Sequence, residues 1–107
     1  MTAKISTTST ASITVQRKAP LFTLGAIVAT NGALDLLDRA GADATVFLER
    51  HQHGDFGSLD ESDVRENMSA IEHDSRILSA YQIGAARLWI ITEADRSVTT
   101  LLLPSEY

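Results

Sequence analysis

The sequence predicts a single two-layer α+β domain in which three helices pack on a small, mainly antiparallel sheet. Three observations carry that expectation. Apolar residues recur at helical spacing between Asn31 and Glu72, β-branched and aromatic residues crowd into extended runs after Arg76, and glycine or aspartate punctuates the joins. At 107 residues the chain has the commonest size of one domain. Its 44% apolar and 21% charged content is globular in proportion and far from that of a disordered chain.

The chain divides at Pro20. Residues 2 to 14 include eight Ser or Thr, too little apolar material to offset the entropy of ordering, so residues 1–20 read as a flexible tail. An added edge strand through Ile5, Ile13 and Val15 is the alternative. Residues 21–107 form the domain. Leu21 to Thr30 reads as a short strand, with Gly25 marking a bulge.

A helical hairpin follows. Thr30 or Asn31 can accept from the first free backbone donors, Ala33, Leu34, Leu37 and Ala40 share a face, and Gly41 supplies a left-handed stop. Asp43 then caps a second helix whose inward positions are Ala44, Phe47, Leu48 and His51, and Gly54 ends it. A DNA-reading helix-turn-helix has a similar outline, but only Arg50 and Gln52 could contact nucleic acid. The third helix starts from Asp60 and Asp63, a capping box in aspartate form, with Leu59 and Val64 as its hydrophobic staple. Such a start contributes about 1 kcal/mol. Val64, Met68 and Ile71 make the expected buried stripe, leaving Glu61, Arg65, Glu66 and Glu72 to water.

From Arg76 the pattern is extended. Runs at 76–83, 86–93 and 97–103, joined by Gly84-Ala85 and by Ala94-Asp95-Arg96, predict a three-strand meander that Pro104 ends. Leu88 to Ile91 and Leu101 to Leu103 are apolar on both faces, which places those strands centrally under the helices.

Composition narrows the function. Nine basic against fourteen acidic residues give a net charge of -5, which repels phosphate backbones and disfavours general nucleic-acid binding. The chain has no Cys, so thiolate metal sites, disulfides and cysteine nucleophiles are excluded. No apolar run reaches membrane-spanning length and no signal-peptide core is visible, so the expectation is a cytoplasmic protein without membrane contact.

Two polar clusters could carry chemistry. In His51-Gln52-His53-Gly54-Asp55-Phe56-Gly57, two imidazoles and a carboxylate could move protons or hold a metal ion. Residues two apart on a helix face different ways, however, so a core-facing His51, a His53 that serves the helix end and a turn around Asp55 account for the same pattern; no metal or cofactor is expected. The second cluster is the hairpin tip, Thr92, Glu93, Asp95, Arg96, Ser97, Thr99 and Thr100, which could bind an anion or pair internally. Asn67, Arg76 and Tyr81 are further polar candidates, Asn67 lying at the margin of the third helix's buried stripe and needing partners there.

These residues also carry a resemblance. His51-x-x-Gly54-Asp55-Phe56-Gly57-x-Leu59, Asp63-x-x-x-Asn67, Arg76 to Tyr81, and above all Trp89 to Tyr107 resemble a family of small bacterial proteins called plasmid-related proteins, some labelled restriction-modification subunits. It spans residues 21 to 107, and Phe56 stands where the family has Trp. The resemblance implies a mobile-element setting and no defined catalytic residues. Two function classes follow. One is an accessory binding module whose acidic surface (Asp35, Asp38, Glu49, Asp55, Asp60, Glu61, Asp63, Glu66) meets a basic host protein such as a nuclease or restriction enzyme. The other is a small metal-independent ribonuclease-like hydrolase, with His51 or His53 as acid or base, Glu93 as partner base, and Arg96, Thr99 and Thr100 steadying the developing charge. Its acid/base groups and its charge-steadying groups must then share one concave pocket.

Overall fold

The computed structural model describes residues 19–107. The expected tail, and the edge strand that was its alternative, fall outside the described residues apart from Ala19 and Pro20. In chain order the elements are β1 (Ala26–Ala29), α1 (Asn31–Ala40), α2 (Ala44–Gln52), α3 (Glu61–His73), β2 (Ile77–Ile83), β3 (Ala86–Thr92), β4 (Val98–Leu102) and a closing 3-10 turn (Pro104–Glu106). The sheet order is β1-β4-β3-β2. The meander β2-β3-β4 is antiparallel, and β1 joins it parallel to β4 with Ala26 beside Val98. The domain is thus two-layer α+β, as the periodicities predicted.

Local chemistry sets the ends of the helices. The Thr30 hydroxyl accepts from the Ala33 amide, the Asp43 carboxylate from Thr45, and the Asp60 carboxylate from Asp63. Gly41 closes α1 at φ 63, the left-handed region where glycine carries no Cβ penalty. The first strand is shorter than expected, four residues against ten. Gly25 is the reason: at φ 66 it runs against the 96–97 backbone just before the strand begins, where a Cβ would sit 2.4 Å from the Arg96 carbonyl oxygen.

Two helices are rotated from their expected faces. On α1, Ala33 and Leu37 are buried, Leu36 is half-buried, and Leu34 and Ala40 face water. On α3 the buried positions are Asn67 and Ala70, with Val64 and Ile71 half-buried, while Met68 is 48% exposed. The inward face is shifted toward Asn67, whose amide is buried, so Met68 is left outside while Val64 and Ile71 still pack on the core.

Leu37 and Leu48 from the helices meet Tyr81, Leu88, Ile90 and Leu101 from one sheet face in the larger core cluster. A smaller cluster joins Phe22, Phe56, Ala70 and Ile77. Pairing partners put Trp89 and Leu102 on the opposite face, where half-buried Trp89 meets Tyr107 edge-on at 5.6 Å. Glu106 fastens the C-terminal turn to the start of α1, accepting from the Gly32 amide at 3.1 Å and from the Thr30 hydroxyl.

Candidate functional site

His51 is completely buried, on the inner face of α2. Its Nδ1 lies 2.6 Å from Ser79 Oγ on β2, and its Nε2 lies 2.9 Å from Thr92 Oγ1 on β3. Thr92 Oγ1 lies 2.7 Å from Thr99 Oγ1 on β4, which donates to the Leu24 carbonyl at 2.8 Å. One helix and three strands are therefore threaded by a single hydrogen-bonded chain.

Its direction is fixed from one end. A carbonyl can only accept, so Thr99 donates to Leu24 and must accept from Thr92; Thr92 then accepts from His51 Nε2–H, and Nδ1 accepts from Ser79. The chain fixes the proton on Nε2, and burial, which disfavours the charged ring, leaves Nδ1 as the acceptor. Burial, with the nearby Arg96 guanidinium as a smaller cause, pushes the His51 pKa down to about 4. Phe22 closes the site edge-on at 5.0 Å. An imidazole so sealed reaches neither solvent nor a substrate.

The other catalytic candidates are also spent on structure. His53 caps α2, its Nδ1 2.7 Å from the Glu49 carbonyl, and the two imidazoles do not converge. Glu93 pairs with Arg76 at 3.4 Å. The Arg96 guanidinium donates to four backbone carbonyls, those of Ser75, Glu93, Ala94 and Ala70, and lies 5.7 Å from the Phe22 ring. Asp95 holds its own turn by accepting from the Ser97 amide and hydroxyl. Thr100, paired with Ile91, is on the sheet face away from the Thr92–Thr99 bond. The hairpin tip, which the sequence allowed to bind an anion or to pair internally, pairs internally, and His51 is buried away from solvent.

The remaining binding candidates resolve into two fasteners. Asp55 pairs with Arg50 at 2.7 Å and accepts from the Gly57 amide, contacts that hold its carboxyl below the usual range. The Arg50 guanidinium covers the Tyr81 ring at 4.6 Å, and the Tyr81 hydroxyl donates to the Asp55 carbonyl. Burial raises that phenol to about 12. Asn67 is the second. Its amide donates to the Leu78 carbonyl at 2.7 Å and accepts from the Leu78 amide at 3.2 Å, so it stands in for a neighbouring strand on the outer edge of β2. The Arg76 Nη1 reaches the Tyr107 hydroxyl at 2.7 Å.

Ser79 was missed as a site residue. The signal was present: in Ile77-Leu78-Ser79-Ala80-Tyr81, alternation puts Ser79 on the buried face between Ile77 and Tyr81, where a hydroxyl requires a partner.

What reaches solvent is charge, unevenly shared. Eleven of the fourteen acidic residues lie between residues 31 and 74 beside three arginines, whereas residues 75–107 hold three of each sign. Asp35 and Asp55 are paired with Arg39 and Arg50, and Asp43 and Asp60 cap helices. Asp38, Glu61, Asp63, Glu66, Glu72 and Asp74 are exposed, with no side-chain ion pair among the described residues. Also among the described residues, no group of three His, Asp or Glu side chains is arranged to hold a metal ion, and no helix is long and apolar enough to cross a membrane. Comparison with protein-family models, with curated proteins and with solved structures gives no match.

Proposed function

We propose that this chain is a small acidic binding module that docks, through its helical layer, onto a basic surface of a cytoplasmic protein. The observation that supports it is the segregation of charge: the helices carry the excess of carboxylates, pointing into water, while His51 is buried and His53, Glu93 and Arg96 are bonded to neighbouring groups. An acidic, rigid helical face competes for grooves that otherwise hold phosphate backbones, because both present regularly spaced negative charge. A host nuclease or restriction enzyme is a partner of that kind, and the likeness to plasmid-related proteins agrees with it. No observation favours the hydrolase reading.

The test is capture of basic, nucleic-acid-binding proteins on the immobilised chain, with the triple variant Glu61→Gln, Asp63→Asn, Glu66→Gln alongside. The expected result is a bound protein released by raised salt and by competing duplex DNA, and retained at least tenfold less by the variant. Binding indifferent to salt, to DNA and to the substitutions overturns the reading. So does RNA cleavage that is abolished by His51→Gln in a chain that remains folded.

A further inference from the structure

The stripe that the sequence marked for burial on α3 is only partly covered: Val64 and Ile71 pack on the smaller core cluster, and Met68 stays outside. Val64, Met68 and Ile71, with Arg65, Ser69 and Glu72, line an open groove of about 620 Å³. Met68 is 48% exposed, and Val64 and Ile71 are each half-buried at the margin of the smaller core cluster. Asn67 and Ala70 turn toward β2 beside Val64 and Ile71, so the covered face of α3 ends at Met68, which carries the groove out to solvent.

We infer that this groove is the contact by which two copies of the chain associate, α3 packing antiparallel on α3 about a two-fold axis. The charges on its rim select that occupant. Arg65 and Glu72 are seven residues apart, two turns and about 10.5 Å along one side of the helix. Neither forms an ion pair among the described residues. In an antiparallel pair centred between Met68 and Ser69, residue 65 of one copy falls opposite residue 72 of the other. Each Arg65 therefore meets the second copy's Glu72, twice per dimer, as an isologous interface requires. Met68 lies at the centre, where its unbranched side chain adapts to its own symmetry mate. Met68, Arg65 and Glu72 carry no burden inside the monomer, which makes them free to serve this role.

One 13-residue helix supplies less than the roughly 800 Å² per partner of a standard interface, so the dimer is weak and concentration-dependent. This inference stands apart from the proposed function, since it uses no partner protein.

Sedimentation equilibrium of the full chain is the test. Arg65→Glu and Glu72→Arg should each weaken self-association about tenfold, because either change replaces two attractions by two repulsions, and the double exchange should restore it. Because the chain has no Cys, Ser69→Cys gives a single thiol beside the axis. Mild oxidation should cross-link it quickly, and Ala85→Cys in the exposed β2–β3 turn slowly. All these positions are exposed, so the variants fold and each outcome is informative. A chain that stays monomeric at millimolar concentration, a dimer that ignores both charge reversals, or a double exchange that fails to rescue overturns the inference.

Discussion

The two edges of the sheet are handled in opposite ways. On the β2 edge the outward backbone groups of two residues have partners: Leu78 is bound by the Asn67 amide, and the Ala80 amide and carbonyl are bound by the Phe56 carbonyl at 3.0 Å and the Ser58 amide at 2.7 Å. On the β1 edge, among the described residues, four residues pair with β4 on one side and no strand lies on the other, with Ile27 and Val28 51% and 48% exposed. An open edge invites pairing with other chains, and brevity is one way to limit it. The difference shows how a small sheet divides protection between its edges: the long strand is sealed with side-chain and loop groups, the other edge is kept short.

The sharpest way to break that contrast is at Gly57. At φ 78 it lies so close to β2 that a Cβ would be 2.0 Å from the Ala80 carbonyl oxygen, backbone that cannot yield. Gly57→Ala should cost about 4 kcal/mol or abolish folding, because clash adds to conformational strain. Gly84→Ala, at φ 60 with nothing within 4 Å of its Cβ, should cost only about 1 kcal/mol, as strain alone does. Denaturant midpoints of the pair separate the two causes; equal losses would mean that the sealed edge does not depend on this close approach.

Between the edges lies the His51 chain, and His51→Ala should cost about 3–4 kcal/mol by leaving a void and breaking hydrogen bonds to the Ser79 and Thr92 hydroxyls. The same group gives a pH dependence. Its folded pKa, about 4, lies below the ordinary value of 6.5, so the unfolded chain takes up the proton first. The stability it contributes is complete above pH 6.5 and is lost as pH falls toward 4, by roughly 3 kcal/mol in all. Urea titrations between pH 7 and 4 should show that slope in the native chain and a flatter one in His51→Gln. Nitrogen chemical shifts at neutral pH should report the Nε2–H tautomer, and an Nδ1–H signal would refute the assigned direction of the chain.

Asn67→Leu should cost about 2 kcal/mol, since it keeps the volume and orphans both groups of Leu78. Hydrogen exchange at the Leu78 amide should accelerate before global unfolding. The smallest effect is expected at the open edge: Val28→Lys should change stability by no more than about 0.5 kcal/mol while reducing aggregation.

Much of the fold could be read from the residues. The Thr30, Asp43 and Asp60 caps, the Gly41 stop, the turns at 84–85 and 94–96, and the core position of His51 are all local chemistry, in which a side chain and the backbone a few residues away decide the outcome. The candidate site was read less well. Arg96 and Thr99 were chosen as exposed donors because hydroxyls and a guanidinium at a turn look available. The Arg96 carbonyl partners at Ser75 and Ala70 lie 21 and 26 residues away, and nothing in the local pattern announces them. Asn67 was correctly seen to need partners, yet was put at the margin instead of at the centre of the helix's inner face.

By itself, then, the sequence determined the elements, their order and the ends of the helices, because those depend on backbone conformation and on neighbours within a turn or two. Only the tertiary structure decided which side of α3 goes inward, where β1 docks, and which polar groups remain for a partner. Those outcomes depend on hydrogen bonds between residues distant in sequence, and a buried amide that finds its partners there, as Asn67 does, shifts the inward face away from the apolar periodicity of the helix carrying it.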